Sequence, residues 1–328
     1  PVNPGSPFNI KEDSVSLSNF SKDAISQLFA QRTAETGQQI APDALDYVYE
    51  QSRGHPWLDN SLFQRATMRI LDVKDTETVT VAHIREAREQ MIQGRETHLE
   101  ALAYRLEDPQ IRKVMESLIT GEPDTRLAHG EAFSLCLDLG LVSIERGSPQ
   151  VANPIYREVL AREVTFSTQM AIPEPEWKWE KPDGTLDMDA LLKEFQIFWR
   201  NNSEVWEDQA DYKEAFPHLL LMAFLQRVAN GQGRIEREYA AGRGRMDLAI
   251  EYKGAWNIIE IKLLRKKQNF ENVRDEGIKQ ILQYRERIDP ASPCYLVIFD
   301  RRGATDGQSG WDERLTWENR DNVTVVGC

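Results

Sequence analysis

Three ionisable side chains stand near one another in a part of the sequence where two apolar stretches flank a short turn. Asp247 stands at the start of one stretch, and Glu260 and Lys262 interrupt the next. Side chains alternate between the two faces of a strand, so Glu260 and Lys262 should point the same way. A turn at Lys253 and Gly254 would fold the second stretch back and bring Asp247 beside Glu260. Two neighbouring carboxylates repel each other unless a cation lies between them.

This arrangement is typical of a divalent cation site that acts on phosphate. Oxygen ligands suit Mg²⁺ or Mn²⁺, and the candidate metal ligands are Asp247, Glu260 and the backbone carbonyl of Ile261. The ammonium of Lys262 could orient an attacking water and offset the charge that builds on a phosphate oxygen. The alternative is that Glu260 and Lys262 form the solvent-exposed face of an amphipathic strand. A Glu-x-Lys pair alone would be explained by an exposed strand face. The Gly-Arg-Gly-Arg run before Asp247 and the helix that follows favour a cation site instead.

Basic residues are concentrated around the same stretch. The whole chain has a formal net charge of −13, which at long range repels a polyanion such as nucleic acid. From Arg227 to Arg287, however, 14 Lys and Arg residues stand against 9 Asp and Glu residues. Basic side chains bind the nucleic-acid backbone without reading its sequence. The candidates for such contacts are Arg243, Arg245, Arg265, Lys266 and Lys267. A solvated surface of mixed charge is the alternative.

The elements that would position these residues follow an α/β pattern. An apolar helix precedes three predicted strands, which are "RIEREYA", "RMDLAIEY" and "WNIIEIKLL". A helix at "VRDEGIKQILQYRERI", a buried strand at "PCYLVIFD" and a last strand at "NVTVVG" follow. This order predicts a central mixed sheet with helices packed on it. The domain should span residues 190–328.

The N-terminal half is predicted to be mostly helical. Helical periodicity begins after Ser21, a candidate N-cap, and continues to about Gly94. From Thr97 the pattern becomes helices, a strand, a Gly-Ser-Pro turn, a second strand and a final helix, which is the layout of a winged helix. A helical subdomain with a hairpin is the alternative. The proline-rich stretch from Ala171 to Asp187 predicts a linker. We expect boundaries at 1–95, 96–170, 171–189 and 190–328.

A known family shares the C-terminal constellation. The residues concerned are Gly244, Arg245, Asp247, Glu260, Ile261, Lys262, Gln280 and Tyr284. They resemble the PD-(D/E)XK nuclease superfamily, in the branch with G-R-x-D before the second strand and Q-x-x-x-Y on the next helix. The resemblance implies that Lys262, Gln280 and Tyr284 serve catalysis, together with a glutamate on the preceding helix, for which Glu214 is the best match. The superfamily's proline is replaced by Met246.

The N-terminal half is similar to another family. "SRGHPWLDNSL" resembles part of the helical lid of an AAA-like P-loop ATPase, and "DPQIRKVMESLITGE" resembles the winged-helix segment that follows such a lid. No G-x-x-x-x-G-K-[ST] motif occurs in the sequence, so no ATPase activity is expected from this chain. We expect the ATPase core to have lain upstream of Pro1.

Hydropathy and cysteine spacing indicate the cellular compartment. No apolar run approaches the roughly 20 residues that span a bilayer, and Cys136, Cys294 and Cys328 lack the spacing of a metal site. Both features favour a cytoplasmic protein without disulfides.

Taken together, the sequence predicts an α+β multidomain protein whose C-terminal domain hydrolyses phosphodiester bonds of nucleic acid with Mg²⁺ or Mn²⁺. In the complete protein, an upstream AAA-like ATPase would be coupled to this activity. DNA is favoured over RNA, and a protein partner at the winged helix and a homo-oligomer are left open. The alternative function is a non-catalytic module that binds nucleic acid or protein with the same fold.

Overall fold

The computed structural model describes residues 19–72, 77–94, 96–119, 130–171, 179–209, 216–229, 233–239, 246–288, 290–301 and 313–328. Side chains in these ranges are described except at 167–169, 171, 202–209, 216, 227–229, 233–239, 246–247 and 287–288. The protein is a mixed α+β structure. The chain divides into two compact units, the first being Pro1–Glu96 with Asn153–Ile155 and the second Thr97–Ala152 with Tyr156–Cys328.

The first unit is built from helices, as predicted. They are α1 (Lys22–Thr36), α2 (Pro42–Ser52), α3 (Pro56–Arg65), which continues into a π-helical stretch (Ala66–Ile70), and α4 (Val81–Gln93). The hydroxyl of Ser21 accepts a hydrogen bond from the backbone N–H of Ala24 (3.1 Å), which confirms the predicted N-cap. Apolar side chains such as Ile25, Leu58 and Ile84 are fully buried between these helices.

The next part of the chain has helices on both sides of a hairpin. It comprises α5 (Thr97–Tyr104), a 3₁₀ turn (Arg105–Glu107), α6 (Pro109–Ile119), α7 (Glu131–Asp138), β1 (Val142–Glu145), β2 (Ser148–Val151) and α8 (Pro154–Ala171).

The turn of this hairpin differs from the prediction. We expected Gly-Ser-Pro to form it, but Glu145 pairs with Ser148, so the turn is Arg146–Gly147 and Pro149 lies within β2. Both turn residues have positive φ, 51° and 81°. A two-residue hairpin turn of this kind needs positive φ at both positions, which the ring of proline forbids.

The C-terminal region forms a sheet with helices on both faces. Its elements are α9 (Met188–Gln209), α10 (Phe216–Ala229), β3 (Gly233–Tyr239), β4 (Met246–Tyr252), β5 (Ala255–Leu264), α11 (Phe270–Ile288), β6 (Cys294–Asp300), β7 (Trp317–Arg320) and β8 (Val323–Gly327). The six strands are ordered β3-β4-β5-β6-β8-β7. The β5–β6 and β6–β8 pairs are parallel and the other pairs antiparallel. The predicted mixed sheet is confirmed.

Each face of the central strands packs on a different helix. Phe299 of β6 contacts the rings of Phe195 and Trp199 in α9, with centroids 6.0 and 4.9 Å away. On the other face, Ile258, Leu296 and their neighbours form one apolar cluster with side chains of α11. Because β5 and β6 are covered on both faces, their sequences are nearly continuous runs of apolar residues.

Helix α11 approaches the sheet closely at a glycine. A Cβ atom at Gly277 would lie 2.6 Å from Cδ1 of Leu296, a distance that real side chains do not show. The missing side chain therefore lets α11 pack directly over β6. This contact lies one helical turn before the residues of α11 that face the charged part of β5.

The described end of the predicted linker contacts the domain that follows it. Glu180 and Leu186 form a β-bridge, and the Trp179 ring lies 6.0 Å from the ring of Phe224. Glu180 Oε2 accepts hydrogen bonds from the Tyr252 hydroxyl (2.9 Å) and from Lys253 Nζ (2.8 Å). Residues 172–178 lie outside the described range.

Two general properties follow from the described residues. None of their helices combines the length and the apolar character that crossing a bilayer requires. Cys136, Cys294 and Cys328 are all free and buried.

Candidate nuclease site

The predicted hairpin is present and has a two-residue turn. Strand β4 pairs with β5 from Tyr252–Ala255 to Leu248–Ile259, which leaves Lys253 and Gly254 as the turn. Their φ values are 50° and 85°, the combination that a tight hairpin requires. The turn expected from the sequence is confirmed, and it sets the register of everything that follows.

That register determines where Asp247 lies. The pairing of β4 with β5 ends where Leu248 is opposite Ile259. Asp247 and Glu260 are the next residues of the two strands, so their backbones lie at the same end of the hairpin. The side chain of Asp247 lies outside the described side chains.

Glu260 and Lys262 are buried beneath α11. Their exposed fractions are 1% and 4%, and they share a strand face with Ile258 and Leu264, which belong to the apolar cluster under the helix. The alternative of a solvent-exposed strand face is therefore wrong. Burying two charged groups is unfavourable unless each has a partner. The contacts of this pair accordingly decide what the site can do.

The two side chains are partners of each other. Glu260 Oε1 lies 2.6 Å from Lys262 Nζ. Lys262 Nζ also donates a hydrogen bond to Gln280 Oε1 on α11. An ammonium has three protons to donate and cannot accept a hydrogen bond. The Lys262 ammonium thus donates to a carboxylate oxygen and to an amide oxygen. The position of the ammonium is fixed from two elements, the strand below and the helix above.

Gln280 in turn contacts the next turn of its own helix. Its Nε2 donates to Oε1 of Glu276 over 3.3 Å. Residues four apart on a helix lie on the same side, and Glu276 is exposed whereas Gln280 is half-buried. The contacts Glu260–Lys262–Gln280–Glu276 thus run from the interior of the sheet to the surface.

The two other predicted site residues of the central region occupy the core. Tyr284 is only 7% exposed, and its ring belongs to the apolar cluster between α11 and the sheet. Ile261 points to the opposite face from Glu260, and its side chain is 3% exposed. Only its backbone carbonyl was predicted as a ligand.

The basic candidates that the structure describes follow β5 directly. Arg265, Lys266 and Lys267 are exposed in the turn between β5 and α11. The Asn269 side chain then accepts hydrogen bonds from the backbone N–H groups of Glu271 (2.7 Å) and Asn272 (3.3 Å), which starts the helix. The predicted site residues Glu214, Arg243 and Arg245 lie outside the described residues.

Sequence reasoning missed two residues near the site, Glu276 and Gly277. Glu276 precedes Gln280 by four positions, a spacing that could have identified it as a helical neighbour. A glycine within a predicted helix is a signal of close packing, but which strand it packs on depends on the fold.

Oxygen ligands for a cation are present in part among the described side chains. Those side chains contain no group of three or more His, Cys, Asp or Glu residues that could hold a metal ion. Glu260 is one carboxylate of the candidate set, and Asp247 lies next to the last residue of β4 that pairs with β5, at the same end of the hairpin. Carboxylate oxygens are the ligands that a hard divalent cation prefers.

A comparison with known protein families points to the same region of the chain. Among curated proteins, none matches the chain. A family model described as the PD-(D/E)XK nuclease superfamily matches residues 212–298. This range contains β3, β4, β5, α11 and most of β6, and with them Asp247, Glu260, Lys262, Gln280 and Tyr284. The chain therefore carries a PD-(D/E)XK nuclease superfamily domain at residues 212–298.

Proposed function

We propose that the C-terminal domain, residues 190–328, hydrolyses phosphodiester bonds of nucleic acid with Mg²⁺ or Mn²⁺. The observation that carries the proposal is the buried Glu260–Lys262 pair, which contacts Gln280 and lies within the matched region. A buried ion pair is not needed for stability, because apolar side chains of similar volume often serve as well. The pair is therefore better explained by chemistry than by packing.

The acidic residues would hold the cation. Asp247, Glu260 and the carbonyl oxygen of Ile261 would bind it, and the hairpin of β4 and β5 supports this by bringing the two acidic residues to the same end of the paired strands. A bound divalent cation supplies positive charge to the scissile phosphate and lowers the pKa of a water molecule. The burial of Glu260 under α11 keeps its carboxylate in a low dielectric, where its interaction with a cation is strengthened.

Lys262 would act on the phosphate and the attacking water. Its ammonium is held by Glu260 and Gln280, so it would be presented to substrate without a search for the correct rotamer. Tyr284 would support this geometry by anchoring α11 on the sheet, and Glu214 would contribute from the segment before α10. We assign Arg243, Arg245, Arg265, Lys266 and Lys267 to the phosphate backbone, and we favour DNA over RNA.

For the N-terminal half we propose an ATPase-lid-like region at 1–95 and a winged helix at 96–170. Supporting this are the helices of the first unit and the order α6, α7, β1, β2 and α8 in the next part of the chain. In the complete protein, an AAA-like ATPase would control access to the nuclease. The winged helix would bind nucleic acid or a protein partner.

A cleavage assay with matched variants tests the nuclease proposal. The purified chain is incubated with single- and double-stranded DNA and RNA, with Mg²⁺, Mn²⁺ or EDTA. We expect cleavage that needs the cation and that falls about 100-fold or more in Asp247→Asn and Glu260→Gln, which preserve side-chain size. Glu251→Gln, on β4 with Asp247, is the control and should retain the wild-type rate.

Two results would overturn the proposal. One is cleavage that survives in Glu260→Gln, which would point to a contaminating nuclease. The other is binding of nucleic acid by the wild type without cleavage under any of these conditions. That second result would favour the non-catalytic binding module.

A further inference from the structure

The contact between Lys262 and Gln280 depends on which way the amide of Gln280 faces. A primary amide has an oxygen that accepts and a nitrogen that only donates. The ammonium of Lys262 only donates as well, so the amide must present its oxygen to Lys262. In the structure Gln280 Oε1 does face Lys262, and Nε2 points away toward Glu276. Rotation of the amide by half a turn would place two sets of donors against each other.

Glu276 provides the contact that favours the correct orientation. Its Oε1 accepts from Gln280 Nε2 over 3.3 Å, and a carboxylate cannot donate in return when ionised. A flipped amide would place its oxygen against the carboxylate of Glu276 and its nitrogen against the ammonium of Lys262. Both contacts would then be repulsive. The two neighbours of Gln280 thus favour the same orientation.

We propose that Glu276 is a positioning residue, which orients the amide of Gln280 so that Gln280 holds the Lys262 ammonium at the phosphate. This inference rests on the proposed nuclease function. Glu276 is exposed and Lys262 is 4% exposed, so Glu276 acts from the surface on a group in the interior. Its substitution leaves no buried charge behind, which separates its effect from a loss of folding.

The experiment compares five variants in the cleavage assay at saturating substrate and cation. Glu276→Ala removes the acceptor and should lower kcat about tenfold, the factor that corresponds to one lost hydrogen bond. Glu276→Gln keeps an oxygen that can accept from Gln280 and should stay near the wild-type rate. Glu286→Ala removes an equal charge from an exposed position of α11 and should have no effect.

The fourth variant, Gln280→Glu combined with Glu276→Ala, tests the orientation itself. A carboxylate at position 280 presents an oxygen to Lys262 in either orientation. Adding Glu276→Ala to Gln280→Glu should therefore not lower the rate below that of Gln280→Glu alone. If Glu276→Ala lowers the rate equally in both backgrounds, or Glu276→Gln loses as much as Glu276→Ala, the positioning role is overturned.

A second readout does not depend on cleavage. Reductive methylation of Lys262, followed by mass spectrometry, reports how firmly its amine is held. We expect Glu276→Ala to raise the methylation rate several-fold and Glu276→Gln and Glu286→Ala to leave it unchanged. A wild type that never cleaves, with this pattern intact, would overturn the nuclease function but not the Lys262 contact. An unchanged methylation rate in Glu276→Ala would overturn the positioning role alone.

Discussion

Asp59 and Glu260 are two buried carboxyl groups with different surroundings. Asp59 lies in α3 of the first unit and is 0% exposed, and burial raises the pKa of its carboxyl to about 6, while the nearby hydroxyl of Ser52 opposes the rise. Glu260 lies in β5 of the second unit, is 1% exposed, and has the ammonium of Lys262 at 2.6 Å. The first carboxyl has a hydroxyl beside it, and the second has a full positive charge.

Burial is the main cause of the raised pKa of the Asp59 carboxyl, whereas the Glu260 carboxylate is paired with the Lys262 ammonium. Asp59 can reduce its desolvation cost by taking up a proton as the pH falls toward 6. For Glu260 the fold supplies a cation, and a helix then supplies Gln280 to hold that cation. Such a chain of polar contacts exceeds what packing β5 against α11 requires. Burial by itself therefore does not mark a site, and a counter-charge alone does not either, because Glu158 is 2% exposed and has Arg162 Nε at 2.7 Å. The contact of Lys262 with Gln280 on a second element distinguishes Glu260.

The largest effect is expected from loss of the counter-charge beside Glu260. Lys262→Met leaves Glu260 buried without its ammonium and should lower the free energy of unfolding by about 3–5 kcal/mol. The double variant Glu260→Leu with Lys262→Met should recover most of that loss, because no charge is left in the core. Urea denaturation measures both. If Lys262→Met costs no more than Lys266→Met on the exposed turn, the pair has no energetic role.

The next effect concerns Asp59 and depends on pH. Its folded pKa of about 6 is above the ordinary value of 3.8, so the folded protein binds this proton more tightly than the unfolded chain does. The stabilisation is present below pH 4 and is lost as the pH rises through 6. Asp59→Asn should therefore raise the free energy of unfolding by about 2–3 kcal/mol at pH 7.5 and hardly change it at pH 4.

Denaturation of Asp59→Asn at both pH values measures this effect, with Asp43→Asn on the surface of α2 as the control. A gain of equal size at pH 4 and pH 7.5 would contradict the raised pKa. Glu260→Gln should show no such gain at neutral pH, because it removes the partner of a buried ammonium. A similar stabilisation in both variants would show that the two buried carboxyl groups do not differ in this respect.

A smaller effect is expected where α11 meets the sheet. Gly277→Ala would gain about 1 kcal/mol of helix propensity but force a Cβ within 2.6 Å of Leu296 Cδ1, and overpacking costs about 1–3 kcal/mol. We expect a net loss of stability of about 1 kcal/mol together with slower cleavage, because Gln280 moves away from Lys262. Lys279→Ala, on the exposed side of α11, is the control. A more stable and fully active Gly277→Ala would show that the close approach does not position Gln280.

The smallest effect concerns the exposed charges beyond the pair. Changing Arg265, Lys266 and Lys267 to Gln should reduce the slope of log affinity against log salt by about 2–3 for duplex DNA, since each phosphate contact contributes about 0.9. Fluorescence anisotropy over a range of salt concentrations measures this slope. The same change at Arg53, Arg69 and Arg85, exposed in the first unit, alters the net charge equally. Equal slopes in the two triple variants would remove the basic turn from the binding surface.

Much of the C-terminal fold was predictable because its signals are local. Alternating and continuous apolar runs marked β3, β4, β5, β6 and β8, and Lys253–Gly254 marked the hairpin turn. Strand β7 was missed because Trp317–Arg320 is short and polar at three of four positions. Its connection to β8 carried a turn signal, since Asp321 and Asn322 both adopt positive φ.

The site was less predictable than the strands that carry it. The spacing of Glu260 and Lys262 put them on one face, but it did not tell whether that face meets water or a helix. Ile258 and Leu264 share the face, which was a readable sign of burial. The covering helix depends on tertiary packing, and so did the roles of Glu276 and Gly277. Tyr284 shows the converse, since the periodicity that aligned it with Gln280 equally suits the core position it occupies.

Calorimetric titration with Mn²⁺ tests the central claim most directly, because it asks whether the buried carboxylate serves a cation. The wild type, Asp247→Asn, Glu260→Gln and the control Glu251→Gln are titrated under the same conditions, with circular dichroism to verify folding. We expect a Mn²⁺ site that the wild type and Glu251→Gln share and that both Asp247→Asn and Glu260→Gln lose. Binding that persists unchanged in folded Glu260→Gln, or no binding in the wild type, would contradict the claim.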